Sequence, residues 1–220
     1  MDLSQLLVLI VVFYLVGSFP SGYVLVKVFN NTDIRSHGSK STGATNVLRV
    51  GGKVISAATL VLDILKIIIP LWLLSIVFNP MRDVPADALV CYSIILGASG
   101  VIGHMYSPML RFDGGKGIAA MLGLVLWVEP AAGVLAFFVF MVIVFSTKMV
   151  SLGSLVGVAI ASLWIGIYTL PALFLEQTLS KELLYSAICI FYTAVALIVW
   201  RHRSNMIRIL HGQENKLNKM

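Results

Sequence analysis

The sequence predicts an all-α protein that crosses a membrane about seven times, with its amino terminus outside and its carboxyl terminus in the cytoplasm. Three observations carry that prediction. The chain is 59% hydrophobic and only 12% charged, about half the charged share of a soluble domain. Its apolar runs exceed the ~18 residues that mark a helix able to span a bilayer. Its lysines and arginines fall on alternate loops, as they do when one face is cytoplasmic. One membrane domain over residues 1–220 is expected, since no linker is long enough to separate two.

The first span is read at 3–29. It is too long for a cleavable signal peptide and lacks a basic start and a small-residue cleavage site. Gly17-Ser-Phe-Pro-Ser-Gly22 is expected to bend it, because proline removes a backbone donor and glycine loosens the helix. Further spans are read at 53–79, 88–106, 117–128, 130–146, 149–171 and 183–200. Residues 117–145 overshoot one helix of ~20 residues, so Glu129-Pro130 is taken as a turn between two short spans. Seven spans place thirteen of the sixteen basic residues on one face. The opposite face keeps Arg82 and Lys181, and Lys66 lies inside a span. Six spans would put Lys148 and the first two polar clusters opposite the basic tail. Cys91 and Cys189 both sit in apolar segments and are read as two buried thiols.

Three polar, glycine-bearing clusters interrupt this hydrocarbon, and all three fall on the basic face. The first runs from His37 to Arg49. Its small residues, Gly38, Ser39, Gly43 and Ala44 among them, let backbone N–H groups converge on an anion. Thr45 and Asn46 add donors, and Arg49 can grip a phosphate with a two-pronged guanidinium. A solvated basic loop is the plain alternative, and Lys40 fits it better than Arg49 does.

The second cluster is Phe112-Asp-Gly-Gly-Lys-Gly117, at the entry to a span. Gly114 and Gly115 allow close backbone approach, and the following helix offers its positive end. A nucleotide P-loop is excluded, since Leu110 and Gly117 stand where glycine and a hydroxyl residue are required. The plain alternative is a helix start with Lys116 extended to the interface. The third cluster follows the last span: His202, Asn205 and Arg208 are three apart and share a helical face. Arg201 and Arg203 read as anchors to anionic lipid headgroups, and Glu214 as a brace or a solvated carboxylate.

Asp63 and Lys66 lie deep in the second span, one turn apart, where ionisable groups are usually paired or functional. A structural ion pair supporting a cavity is the preferred account, with substrate contact second. His37, His104 and His202 share no metal-ligand spacing, so no metal and no cofactor are expected. The charge runs are too short for nucleic acid.

In order, these residues resemble the bacterial acyl-phosphate-dependent glycerol-3-phosphate acyltransferases. Gly38-Ser39, Gly43-Ala44-Thr45-Asn46 and Arg49 match that family's first motif. Gly103-His104 and Phe112 through Gly117 match the second. Arg201, His202, Asn205, Arg208, Gly212 and Glu214 match the third. Lys40 stands at a customary glycine, Ser41 at an asparagine, and Asp113 at a lysine or arginine. Asp113 is expected to face away or to pair with Arg111.

The resemblance implies transfer of a fatty acyl group from acyl phosphate to the 1-hydroxyl of glycerol 3-phosphate, at the inner face of the bacterial cytoplasmic membrane. The products would be lysophosphatidic acid and phosphate, and an acyl-phosphate-producing enzyme is the implied functional partner. Ser39, Arg49 and Lys116 are assigned to glycerol 3-phosphate, with His202 and Asn205 orienting it. The Gly43–Asn46 backbone and Thr45 are assigned to the acyl phosphate. His104, Gly114, Gly115, Arg208 and Glu214 complete the substrate-binding set. Either His202 or a donor phosphate oxygen takes the hydroxyl proton. An anion transporter would need more ionisable groups at mid-membrane and often an internal repeat. A lipid-binding scaffold leaves three glycine-rich loops on one side unexplained. An acyl-CoA enzyme of the H-x-x-x-x-D type is excluded, because Thr42, Met109, Ile207 and Lys216 follow the four histidines at that spacing.

Overall fold

The computed structural model describes residues 1–78, 85–176 and 179–217. Arg82, Lys219 and the end of the span read at 53–79 lie outside them. The described residues contain helices and loops but no strand.

Helix α1 spans Leu3–Gly17, and Asp2 caps it by accepting from the Gln5 N–H. The expected bend is a complete break at Ser18–Pro20, after which α2 runs Ser21–Asn30. A break in a membrane leaves carbonyls without intrahelical donors, and these must be satisfied by protein. Ser107 Oγ donates to the Ser18 carbonyl at 2.6 Å, and Lys66 Nζ donates to the Phe19 carbonyl at 2.9 Å.

Helix α3 spans Ala44–Phe78 but changes direction at Gly52, whose φ of 82° and ψ of −178° are not helical. That conformation favours glycine. It separates a short cluster-bearing helix from the span proper, so the span begins where the sequence placed it. Helix α4, Ala86–Met105, sits at the centre and is buried along most of its length. Lipid tails are as apolar as leucine, so small residues rather than hydrophobicity decide which helices touch. A Cβ on Gly103 would collide with the Tyr14 carbonyl, and one on Gly17 with the Gly100 backbone. These contacts seat α1 directly against α4.

Helix α5 is Ile118–Val128 and α6 is Pro130–Thr147, with Glu129 and Pro130 making the expected turn. Helix α7 spans Val150–Trp164; a wider turn at Ile165–Thr169 leads into α8, Leu170–Leu175. The span is expected to end at 171, but the helix does not stop at Pro171, although proline lacks a backbone donor. Instead the backbone widens, and Tyr192 Oη donates to the Ser162 carbonyl at 3.1 Å. Helix α9 spans Lys181–Arg201 and α10 spans Arg203–Leu210.

Six of these segments are long and apolar enough to cross a membrane. The seventh apolar segment, α5, has 11 residues, a rise of about 16 Å against a hydrocarbon core of ~30 Å. Cys91 is buried, but Cys189 is exposed on α9, so the reading of two buried thiols is corrected.

Candidate active site

The three polar clusters converge at one end of the bundle around a cavity of about 300 Å³. In the first cluster, Asn46 is the organising residue. Its Oδ1 accepts from the Ser39 N–H at 2.9 Å, and its Nδ2 donates to the carbonyls of His37 at 3.0 Å and Ser41 at 2.9 Å. Asn46 is buried, and its amide is spent on folding the loop rather than left free for a ligand. The loop delivers the start of α3 to the cavity, with Gly43, Ala44 and Thr45 lining it. The first N–H groups of a helix have no intrahelical acceptor, so this end suits an anion. Ser39 and Arg49 line the cavity from more exposed positions, and Arg49 has no ion-pair partner among the described residues.

The second cluster is folded onto the end of α4. The Gly114 N–H donates to the Met105 carbonyl and the Gly115 N–H to the His104 carbonyl, both at 3.1 Å. Gly114 and Gly115 therefore shape the loop from behind and do not line the cavity. Lys116 does, and its Nζ donates to Asn205 Oδ1 at 2.5 Å. Of the two expected dispositions of Asp113, facing away or pairing with Arg111, the first is the nearer: it is exposed, and its partner is Arg201 at 2.9 Å. Arg201 also donates to the Gly114 carbonyl at 2.6 Å. It is thus a clamp between the second and third clusters rather than a headgroup anchor.

In the third cluster, Asn205 Nδ2 donates to Glu214 Oε1 at 2.8 Å and to Ser151 Oγ at 2.7 Å. Ser151 Oγ donates to Glu214 Oε1 at 2.7 Å, and Arg208 Nε to Glu214 Oε2 at 3.0 Å. Glu214 is a buried brace, so neither Lys116 nor Arg208 stands without compensation. Burial pushes its carboxyl pKa up, but the hydrogen bonds from Ser151 and Asn205 and the charge of Arg208 outweigh that and lower it. Ser151 was missed in the sequence, where one serine in the first turn of an apolar helix carries no distinct signal.

Burial holds the Lys116 pKa down to about 8, and nearby Arg208, Arg49 and Arg201 act in the same direction against Glu214. Burial likewise lowers His202 to about 4, so its imidazole is neutral at physiological pH. His202 Nδ1 lies 2.8 Å from the Ile198 carbonyl. A carbonyl only accepts, so Nδ1 carries the hydrogen and Nε2 offers a lone pair.

The other half of the cavity is hydrocarbon, supplied by α5, α6 and α7 through residues such as Leu122, Val125, Phe137, Phe140 and Val158. His104, Lys116, His202, Asn205, Arg208 and Glu214 meet Ser39, Arg49 and the Gly43–Asn46 turn around its polar mouth. The arrangement can hold anionic groups beside an apolar chain.

The chain matches the family model described as glycerol-3-phosphate acyltransferase over residues 7–212. It is 35% identical to the glycerol-3-phosphate acyltransferase of Acholeplasma laidlawii, over 100% of this chain and 96% of that protein. It is 37% identical to that of Rippkaea orientalis, over 96% of this chain and 92% of that protein. Among solved structures it resembles PlsY (YgiH), an integral membrane glycerol 3-phosphate acyltransferase, in its glycerol 3-phosphate form. The TM-score is 0.77 at 32% identity, covering 97% of this chain and 96% of that one. The lysophosphatidic acid form of that protein gives a TM-score of 0.76 at the same identity. The chain belongs to the glycerol-3-phosphate acyltransferase family.

Proposed function

We propose that this member of the glycerol-3-phosphate acyltransferase family, one membrane domain over residues 1–220, moves a fatty acyl group from acyl phosphate to the 1-hydroxyl of sn-glycerol 3-phosphate. The observation that carries the reading is a single cavity with Arg49, Lys116 and Arg208 at its mouth and an apolar slot behind them. Two phosphorylated reactants need cations to relieve their repulsion, and a fatty acyl tail needs a hydrocarbon channel.

In this reaction the hydroxyl oxygen bonds to the acyl carbon, and the bond from that carbon to the phosphate oxygen breaks. Lysophosphatidic acid and inorganic phosphate leave. The donor is a mixed anhydride, so the protein supplies position and charge rather than a covalent nucleophile. Ser39, Arg49 and Lys116 hold glycerol 3-phosphate. The helix start at Gly43–Thr45 receives the donor's phosphate. Asn205, fixed by Glu214 and Ser151, aims the Lys116 ammonium. The Nε2 lone pair of His202 accepts a hydrogen bond from the attacking hydroxyl. With its pKa lowered to about 4, His202 is a weak proton sink, which favours the departing phosphate as the final acceptor.

The cavity mouth faces the cytoplasm across the bacterial inner membrane. The support is the gathering of the basic loops and the basic tail at one end of the bundle. Acyl phosphate must then come from an enzyme that phosphorylates or transfers a fatty acyl group on that side. The test offers purified protein glycerol 3-phosphate with acyl phosphate, acyl-CoA or acyl carrier protein in turn. Lysophosphatidic acid and phosphate are expected from acyl phosphate alone; product from a thioester only would overturn the donor assignment.

A further inference from the structure

Beneath the second loop lies a buried trio that the reaction above leaves without a role. Asp63 and Lys66 sit one turn apart on α3, and His104 is in the last turn of α4; all three are shielded from solvent. Lys66 Nζ is 2.8 Å from Asp63 Oδ1, 2.8 Å from His104 Nδ1 and 2.9 Å from the Phe19 carbonyl. His104 Nδ1 is also 3.6 Å from Asp63 Oδ1.

These contacts decide the tautomer of His104. An ammonium has hydrogens to give and no lone pair to offer. A hydrogen on His104 Nδ1 would point at that ammonium, so Nδ1 holds the lone pair and Nε2 holds the hydrogen. The Nε2 edge faces the second loop: a Cβ on Gly115 would overlap it, and His104 lines the cavity beside Lys116. The loop's own N–H groups already bond back to the carbonyls of His104 and Met105. The loop backbone therefore offers the imidazole hydrogen no N–H competitor, and the ring that carries it borders the cavity next to Lys116.

His202 has the opposite arrangement, with Nδ1 committed to the Ile198 carbonyl and the lone pair on Nε2. Two buried imidazoles of opposite tautomer thus line one cavity. One accepts and one donates.

We propose that His104 donates a hydrogen bond through Nε2–H to an anionic reactant oxygen, and that Lys66, held by Asp63, is the positioning residue that fixes this tautomer. The oxygen is either on the donor's phosphate or is the oxyanion that develops on the acyl carbonyl. Only this last identification rests on the acyl-transfer reading above; the tautomer does not.

The test uses the full chain in lipid nanodiscs with 15N-labelled histidine. NMR should show unprotonated Nδ1 and protonated Nε2 at His104. Replacing the pair together (Asp63→Asn with Lys66→Met) leaves no lone buried charge, and should mix the two tautomers. Phosphate release from acyl phosphate and glycerol 3-phosphate should then fall ~10-fold or more. His104→Phe should cost ~10²–10³, the usual loss for one missing oxyanion donor. His104→Gln keeps an N–H donor without a tautomer, and should recover most of that loss.

In the His104→Gln background the Asp63/Lys66 replacement should cost little more, because there is no tautomer left to fix. A fall in kcat alone assigns the bond to the oxyanion; a rise in KM for acyl phosphate assigns it to the phosphate. A hydrogen found on Nδ1 of the unaltered protein, or equal losses in both backgrounds, would overturn the proposal and leave the trio a scaffold. If the unaltered protein turned over no acyl phosphate, the preceding reading would fail, and the NMR result would still decide the tautomer.

Discussion

The first polar loop and the joined second and third loops bring cations to the same cavity by different physical routes. The first loop is folded from within: Asn46 ties His37, Ser39 and Ser41 together, and Arg49 is left exposed without a partner among the described residues. The second and third loops are tied to each other by side chains. Lys116 meets Asn205, Arg201 meets Asp113, and Glu214 gathers Ser151, Asn205 and Arg208. One cation is poised before any ligand arrives, and the other must be ordered by the ligand. A preorganised charge in a dry site stabilises a developing anion best, whereas an exposed arginine acts mainly in binding.

The largest expected effect follows from removing the preorganised cation. Lys116→Met should lower kcat/KM by ~10²–10³, with much of the loss in kcat. Its melting temperature should hold or rise, because the buried ammonium is no longer desolvated. Phosphate release and thermal unfolding in the same detergent check both halves. A loss of activity with an equal collapse of stability would erase the contrast between the loops.

Arg49→Ala should act more weakly, by ~10–100-fold, the range of a lost charge-assisted hydrogen bond. The change should appear as a raised KM for glycerol 3-phosphate, and it should shrink as salt screens the exposed charge. Initial rates over a range of substrate and salt concentrations measure it. If kcat fell as steeply as in Lys116→Met, Arg49 too would be preorganised.

Alkaline pH separates the two cations without mutation. Lys116 is protonated below about 8 and neutral above it, whereas an arginine keeps its charge throughout. Anion binding is therefore present below that value and lost above it. In the free enzyme kcat/KM should fall about tenfold per pH unit beyond it. The phosphate of glycerol 3-phosphate is already a dianion there, with a second pKa of ~6, so the substrate does not produce this fall. A profile flat to pH 10 would place the lysine in a wetter setting.

How much of this was legible in sequence depended on the range of the interaction. Hydropathy and the Glu129-Pro130 turn located the apolar segments, and Gly17-Ser-Phe-Pro-Ser-Gly22 marked where the first one bends. These signals act within a few residues. Side-chain pairing across the chain has no such signature. Spacing offers Asp113 only solvent or nearby Arg111, yet Arg201, 88 residues away, takes it. Asn46 was read as a donor for ligand, but four backbone groups surround it. The motif residues were identifiable because their types suit anions, while Ser151 carried no mark until Glu214 was found beside it. The pairing of Asp63 with Lys66 was readable from spacing on one helix; its extension to His104 on another was not.

The smallest effect concerns Lys40, which replaces the glycine customary in the family resembled. Its φ is 60°, in the left-handed region. Such a conformation costs an L-residue roughly 1–2 kcal/mol. Glycine would relieve that cost but lose more chain entropy on folding, so Lys40→Gly should stabilise by under ~1 kcal/mol. The exposed Lys40 ammonium is spared a role in the cavity, which Ser39 and Ser41 line on either side of it. Activity should therefore stay within about twofold, the spread expected of a surface change worth ~0.5 kcal/mol. Thermal unfolding and initial rates of the two proteins decide it. A tenfold loss in rate would mean that the first loop, like the second, depends on a cation fixed by its backbone, and the two routes would reduce to one.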